Sequence, residues 1–212
     1  MRLQKTKFKL YQKTNSNIWG AFRFKKTLKK KWTQFNPTFK IDSQFEQNEE
    51  SLKKYFKLQT IEKKKFRSFY NFIPIKTLKK SFNSIKHKKP INTYLYFCQH
   101  LESRLDIILL RLLIFSSIFA VNQNIQHGRI KVNNTKVKAS NRLLKPGDII
   151  TFEPKTINPI ILKNYRKNNK LNYLNFDLLN NSCTFLRSPT FKEITFFCLM
   201  RKKFILNYFF RN

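Results

Sequence analysis

Apolar residues recur along this chain with two different periods, and the change from one to the other marks where helix gives way to strand. Leu101, Leu105, Ile108, Leu109 and Leu112 fall at i, i+4, i+7, i+8 and i+11, the spacing of one helix face. Glu102 lies in the first turn of that expected helix, and Arg104 and Arg111, seven apart, share one side of it. Phe115-Ser116-Ser117 interrupts the run. Either serine can cap a second helix, whose apolar positions are Ile118, Val121 and Ile125. That helix is expected to stop at His127-Gly128, because glycine just past a helix end takes left-handed backbone at little cost. The period then drops to two. Ile130 and Val132 face one way, and Arg129 and Lys131 the other. Asn133-Asn134 suits a tight hairpin turn, since Asn tolerates positive φ. Val137 continues the inward row while Lys136 and Lys138 point outward. Pro146-Gly147 suits a type II turn, and Ile149 to Phe152 reads as a last short strand.

The flanks are less regular. Residues 1–40 form a basic arm studded with aromatics. Residues 41–70 carry Leu52, Tyr55, Phe56 and Ile61 at near-helical spacing and predict one or two helices. Residues 71–97, with Pro74, Pro90 and a KHKK run, read as a linker or an irregular crossing. In 154–212, YLNFDLL and the closing FILNYFF read as strands, and NNSCTFLRSPTFKEI between them as turn-rich. The expected organisation is therefore an arm (1–40), a helical region with linker (41–100), a central unit (101–153) and a C-terminal extension (154–212).

Charge narrows the function classes. The chain of 212 residues holds 44 Lys and Arg against 11 Asp and Glu, a formal net charge of +33. An isolated globule so charged repels itself, so a polyanionic partner is expected, with nucleic acid first and a membrane surface second. The bases are not confined to a tail: 12 lie in residues 1–40, 13 in 41–100, 8 in 101–153 and 11 in 154–212. The most apolar window, Leu105 to Val121, contains Asp106 and Arg111 and falls short of the roughly 20 apolar residues of a spanning helix. The first 40 residues lack any acid, which suits a transit peptide or an RNA-binding arm equally. Cys98, Cys183 and Cys198 form no C-x-x-C pair, so neither a zinc site nor a disulfide framework is expected. With 3 glycines in the chain, no glycine-rich phosphate loop can form. His100, Ser103 and Asp106 share a helix turn and lack the convergent geometry of a nucleophilic triad. Abundant Lys, Asn, Ile and Phe beside scarce Gly and Ala resemble the coding bias of an organelle genome.

The block ESRLDIILLRL…HGRIKVNN…KPGDII resembles the S-four RNA-binding domain, and more narrowly the small-subunit ribosomal protein S-four family. The matching positions are Arg104-Leu105-Asp106, Arg111, Ser117, Gln123, His127-Gly128, Val132-Asn133 and Pro146-Gly147-Asp148. Tyr173-Leu174-Asn175-Phe176-Asp177, Cys183-Thr184-Phe185 with Arg187 and Pro189, and the closing Tyr208-Phe209-Phe210-Arg211 are similar to later elements of that family. Arg23-Phe24-Lys25 and the stretch Ser51 to Thr60 are similar to its mitochondrial branch in plants and their relatives. Ile118 and Asn122 stand where the family usually has Arg, and Asn134 replaces its hairpin Gly.

The resemblance implies an α+β fold: a helical N-terminal region, two helices packed on a small β-hairpin sheet, and a C-terminal extension packed back on the rest. It implies RNA contacts at Arg104, Arg111, Ser117, Gln123, His127, Arg129, Lys131, Asn133, Lys136 and Lys138, with Arg23, Lys25 and Lys26 added from the arm. For several of these a second reading stays open. Arg104 and Arg111 can line a solvated helix face, and Arg104 can pair with Asp106. His127 can serve the helix end. Phe22 to Lys26 can pack and touch phosphates, or stack on bases. The implied role is structural, within the small ribosomal subunit of a mitochondrion, or alternatively of a chloroplast. The protein would clamp a multi-helix junction of the 5′ domain of small-subunit rRNA beside the S-five protein and the mRNA entry region. The resemblance implies no enzyme activity, cofactor, metal, membrane or small-molecule substrate. An RNA-modifying enzyme or another RNA-binding factor carrying an S-four domain is the alternative, and the enzyme would need a catalytic domain of its own.

Overall fold

A computed structural model describes residues 10, 14, 16, 18, 49–88, 92–115, 117–153, 171–177, 179–194 and 200–210. The chain divides into two compact units, Met1–Phe82 with Phe196–Asn212, and Asn83–Thr195. The C-terminal extension is thus shared between them. The fold is α+β.

In the first unit, α1 (Glu49–Phe69) turns at Asn71 and Phe72, both at positive φ, into α2 (Ile75–Lys86). Helix α1 buries Leu58, Phe66 and Phe69 and packs on α6 (Lys202–Phe210). Tyr55 meets Phe204 at 5.2 Å between ring centroids, and Phe82 of α2 stacks on Phe209 at 5.2 Å. Buried Glu62 accepts the Arg201 backbone N–H at 3.2 Å, satisfying one of the unpaired donors at the start of α6.

Two expectations are corrected here. FILNYFF is helical, not extended. Ile205 and Phe209, four apart, and Phe204 beside them are buried, so α1 and α2 select a helix for a short apolar run that is ambiguous by itself. Residues 71–97 are not irregular: they hold all of α2 and the start of α3 (Thr93–Glu102), and the boundary between the two units falls within them. Pro74 immediately precedes α2 and its carbonyl accepts Leu78 N–H at 3.1 Å, a place where proline's missing donor costs nothing. Leu78 and Phe82, four apart, are buried.

The second unit carries α3, α4 (Leu105–Arg111) and α5 (Ile118–Gln126) with an antiparallel sheet of β1 (Ile130–Val132), β2 (Thr135–Lys136), β3 (Ile149–Phe152), β4 (Leu174–Asp177) and β5 (Ser182–Phe185). Strand order is β2-β1-β3-β5-β4. Leu105, Ile108 and Leu109 of α4, Leu112 at its C-terminal cap, and Val121 and Ile125 of α5 share one core with Ile130, Val132, Ile150, Phe152, Leu174, Cys183 and Phe185. The C-terminal segment therefore supplies two strands of the sheet. One of them, β5, lies inside the stretch expected to be turn-rich.

The run from Leu101 to Leu112 is two helices instead of one. At Arg104 the backbone is extended (φ −77°, ψ 141°) and bridges to Leu143. Leu105 N–H donates to Arg142 O at 2.9 Å, Asp106 N–H to Ser140 O at 3.2 Å, and Leu144 N–H to Ser103 O at 2.8 Å. A distant segment thus takes the hydrogen bonds that a continuous helix would have made internally.

Candidate nucleic-acid interface

The sheet has two unlike faces. Following the strand register, Val132, Ile150, Cys183 and Phe176 lie opposite one another on the helix-covered side. The neighbouring row, on the other side, reads Lys136, Lys131, Thr151, Ser182 and Asp177 across all five strands. An antiparallel sheet covered on one face shows this apolar-in, polar-out pattern. Lys131 and Lys136 are direct cross-strand partners, an arrangement that costs energy until an anion neutralises it. Thr151 and Ser182 add hydroxyls beside them, and Asp177 makes the far edge acidic. Backbone N–H of Leu179 and the Asn180 amide hold the Asp177 carboxyl below its usual range.

Turn chemistry stiffens this edge. Asn133 (φ 50°) and Asn134 (φ 64°) form the two-residue turn between β1 and β2. Asn133 also clamps a second turn. Its Nδ2 donates to Asp148 Oδ1 at 2.9 Å, and its Oδ1 accepts Ile149 N–H at 2.9 Å. Asp148 Oδ2 accepts Lys145 N–H at 2.8 Å, and Gly147 (φ 93°) donates to Phe185 O at 2.7 Å. The two motifs V-N and P-G-D, thirteen residues apart in sequence, are one hydrogen-bonded joint.

Helix α5 brings a second group to the surface. Ser117 caps it, accepting Ala120 N–H at 3.3 Å. At its other end Gly128 (φ 69°) donates to Ile125 O and Arg129 to Asn124 O, the paired bonds of a Schellman stop. Gln123 and His127, four apart, are both exposed, and the His127 backbone, not its ring, serves the helix end. Arg129 is exposed and ties hairpin to helix through Nη1 to Asn124 Oδ1 at 3.2 Å. Lys138 is also exposed.

Arg104 and Arg111 do not project into solvent, and that expectation is corrected. Arg104 is 8% exposed and Arg111 7%. Arg104 grips Asp106 through Nε (3.1 Å) and Nη2 (2.7 Å). Arg111 grips Glu102 through Nε (2.9 Å) and Nη2 (2.7 Å). The helix break rotates the two arginines to different carboxylates, and burial of Asp106 and Glu102 demands a cation for each. Between residues 103 and 150, Arg142 and Lys145 are exposed bases that the spacing did not single out. Both sit on the segment docked against Arg104, a position visible only after folding. Arg23, Lys25 and Lys26 lie outside the described residues. Among the described residues no group of three His, Cys, Asp or Glu side chains is placed to hold a metal, and no helix is long and apolar enough to cross a membrane.

The S4 domain family is matched over residues 103–150, which span the Arg104 bridge, both helices, the hairpin and the clamped turn. Proteins named small ribosomal subunit protein uS4 are similar well beyond that segment. The one from Maricaulis maris is 26% identical over 206 residues, 96% of each chain. That from Caulobacter vibrioides is 26% identical over the same shares, and that from Sphingopyxis alaskensis 27% over 211 residues, 98% of each. The chain is a uS4 homologue over nearly its full length. In this uS4 homologue Ile118 and Asn122 are buried on α5 and present no charge there, so within residues 103–150 the exposed cations are Arg129, Lys136, Lys138, Arg142 and Lys145.

Proposed function

We propose that the chain is a non-enzymatic, structural RNA-binding protein of the small ribosomal subunit of a mitochondrion. In this reading it binds small-subunit rRNA at a multi-helix junction of the 5′ domain, beside the S-five protein and near the mRNA entry region. The observation that carries it is the end-to-end similarity to proteins named for the small ribosomal subunit. An enzyme with an appended domain would share the appended segment alone. The organellar assignment rests on composition, with 23 Phe against 3 Gly, and the choice of mitochondrion over chloroplast rests on the similarity of Arg23-Phe24-Lys25 and of Ser51 to Thr60 to the mitochondrial branch.

The chemistry fits shape recognition. Lys131, Lys136, Lys138 and Arg129 are held by a clamped hairpin at fixed spacings, so they match phosphates held apart by a folded junction better than phosphates of a flexible strand. Lysines act here as point charges on backbone phosphate. The test is sedimentation of organellar extracts: the protein is expected to travel with small ribosomal subunits and to leave them in high salt. A protein that sediments free of the subunits at low salt sinks the reading.

A further inference from the structure

Tyr208 lies in the closing Tyr-Phe-Phe-Arg stretch, and its ring collects two cations from different helices. Lys63 Nζ of α1 sits 4.2 Å from the ring centroid, and Lys79 Nζ of α2 sits 5.7 Å from it. Both distances are within cation–π range. The assembly is built by packing. Phe209, next in the chain, stacks on Phe82 of α2, and α6 packs along α1. Tyr208 is thereby fixed between two lysines that are half-buried instead of spread into water. Among the described residues neither lysine forms an ion pair with a carboxylate. Arg67, one turn along α1 from Lys63, adds a third positive charge nearby, its Nε held by Ile73 O at 2.8 Å. The Lys63 ammonium is held below its usual range, first by burial and then by Arg67 and Lys79. An aromatic face offsets part of this repulsion but brings no counter-charge.

We infer that Lys63 and Lys79, gathered around Tyr208, form an anion site on the helical unit that takes one backbone phosphate of the RNA; this rests on the RNA-binding reading above. Three helices converge to place the charges, which distinguishes the site from bases that merely line one solvated helix face. A phosphodiester between the ammoniums relieves their repulsion and needs no base identity, in keeping with recognition by shape.

The experiment is a binding titration of the full chain with a small-subunit rRNA transcript over a series of salt concentrations, with circular dichroism melts as the folding control. K63Q/K79Q is expected to bind about tenfold more weakly and to flatten the salt slope by about one. K63R/K79R, which keeps both charges, is expected to hold the parent slope. Should the double variant melt early, K79Q alone leaves the Lys63–Tyr208 contact in place and is expected to show the same effect in smaller measure. A folded K63Q/K79Q with parental affinity and slope overturns the site, and loss of slope in K131Q/K136Q alongside it leaves the RNA reading standing. A parent chain whose binding does not depend on salt overturns both.

Discussion

Glu102 and Arg111 are each other's bidentate partner inside the core of the second unit. Removing one member strands a buried charge, so Arg111→Ala is expected to destabilise by about 3–5 kcal/mol, whereas E102L/R111M is expected to lie close to the parent. Denaturant unfolding of E102L, R111M and E102L/R111M checks this; additive single effects would contradict it. A different case is Cys183, whose thiol is pushed up to about 12 by burial. Thiolate is the reactive form, so Cys183 is expected to resist alkylation at neutral pH in the folded chain and to react on unfolding, read by site-resolved mass spectrometry. Glu193 carries a pH signature. Hydrogen bonds from Arg187, reinforced by Thr190, pull its carboxyl down to about 2. Its folded value lies below its unfolded one, so its contribution is present above the ordinary carboxylate range and lost as pH falls toward that value. The stability gap between the parent and Glu193→Gln is therefore expected to shrink between neutral and strongly acid pH. Arg187 is largely exposed, and screening keeps the effect small.

At the scale of elements, the hairpin and the Pro146-Gly147-Asp148 turn behave as one joint. Asn133 supplies both a positive φ and two side-chain hydrogen bonds. Asn133→Ala loses all three features and is expected to cost about 1–3 kcal/mol. A double-mutant cycle with Asp148→Ala should return a coupling energy well above zero; independent effects would mean that the two turns are separate. Gly128 tests a purely conformational requirement. A Cβ there meets nothing within 4 Å, so any loss in Gly128→Ala, expected near 1 kcal/mol, comes from the left-handed backbone alone.

For the whole molecule the governing quantity is the net charge of +33. Without its anion the chain repels itself, and salt screens that repulsion. The free protein is therefore expected to melt higher as ionic strength rises, while its RNA complex weakens over the same range. Scanning calorimetry with and without an rRNA transcript would show the two trends crossing; parallel trends would argue against a polyanion as the stabilising partner.

Much of this was legible from spacing alone. Period two across Arg129 to Lys138 gave the inward and outward rows of the hairpin, and Gly128 and Gly147 marked backbone that other residues avoid. Local chemistry suffices there, because turns and amphipathic strands answer to their own residues. The pairing of Arg104 with Asp106 was one of two open readings, and the pairing of Arg111 with Glu102 was not legible. Whether a guanidinium meets water or a buried carboxylate depends on the 139–144 segment docking at residue 104 and splitting a helix that looked continuous. The same holds for FILNYFF, which α1 and α2 make helical, and for the two lysines that meet at Tyr208. Pattern determines which faces are apolar; only packing of distant segments decides which charges are neutralised inside the fold and which remain for a partner.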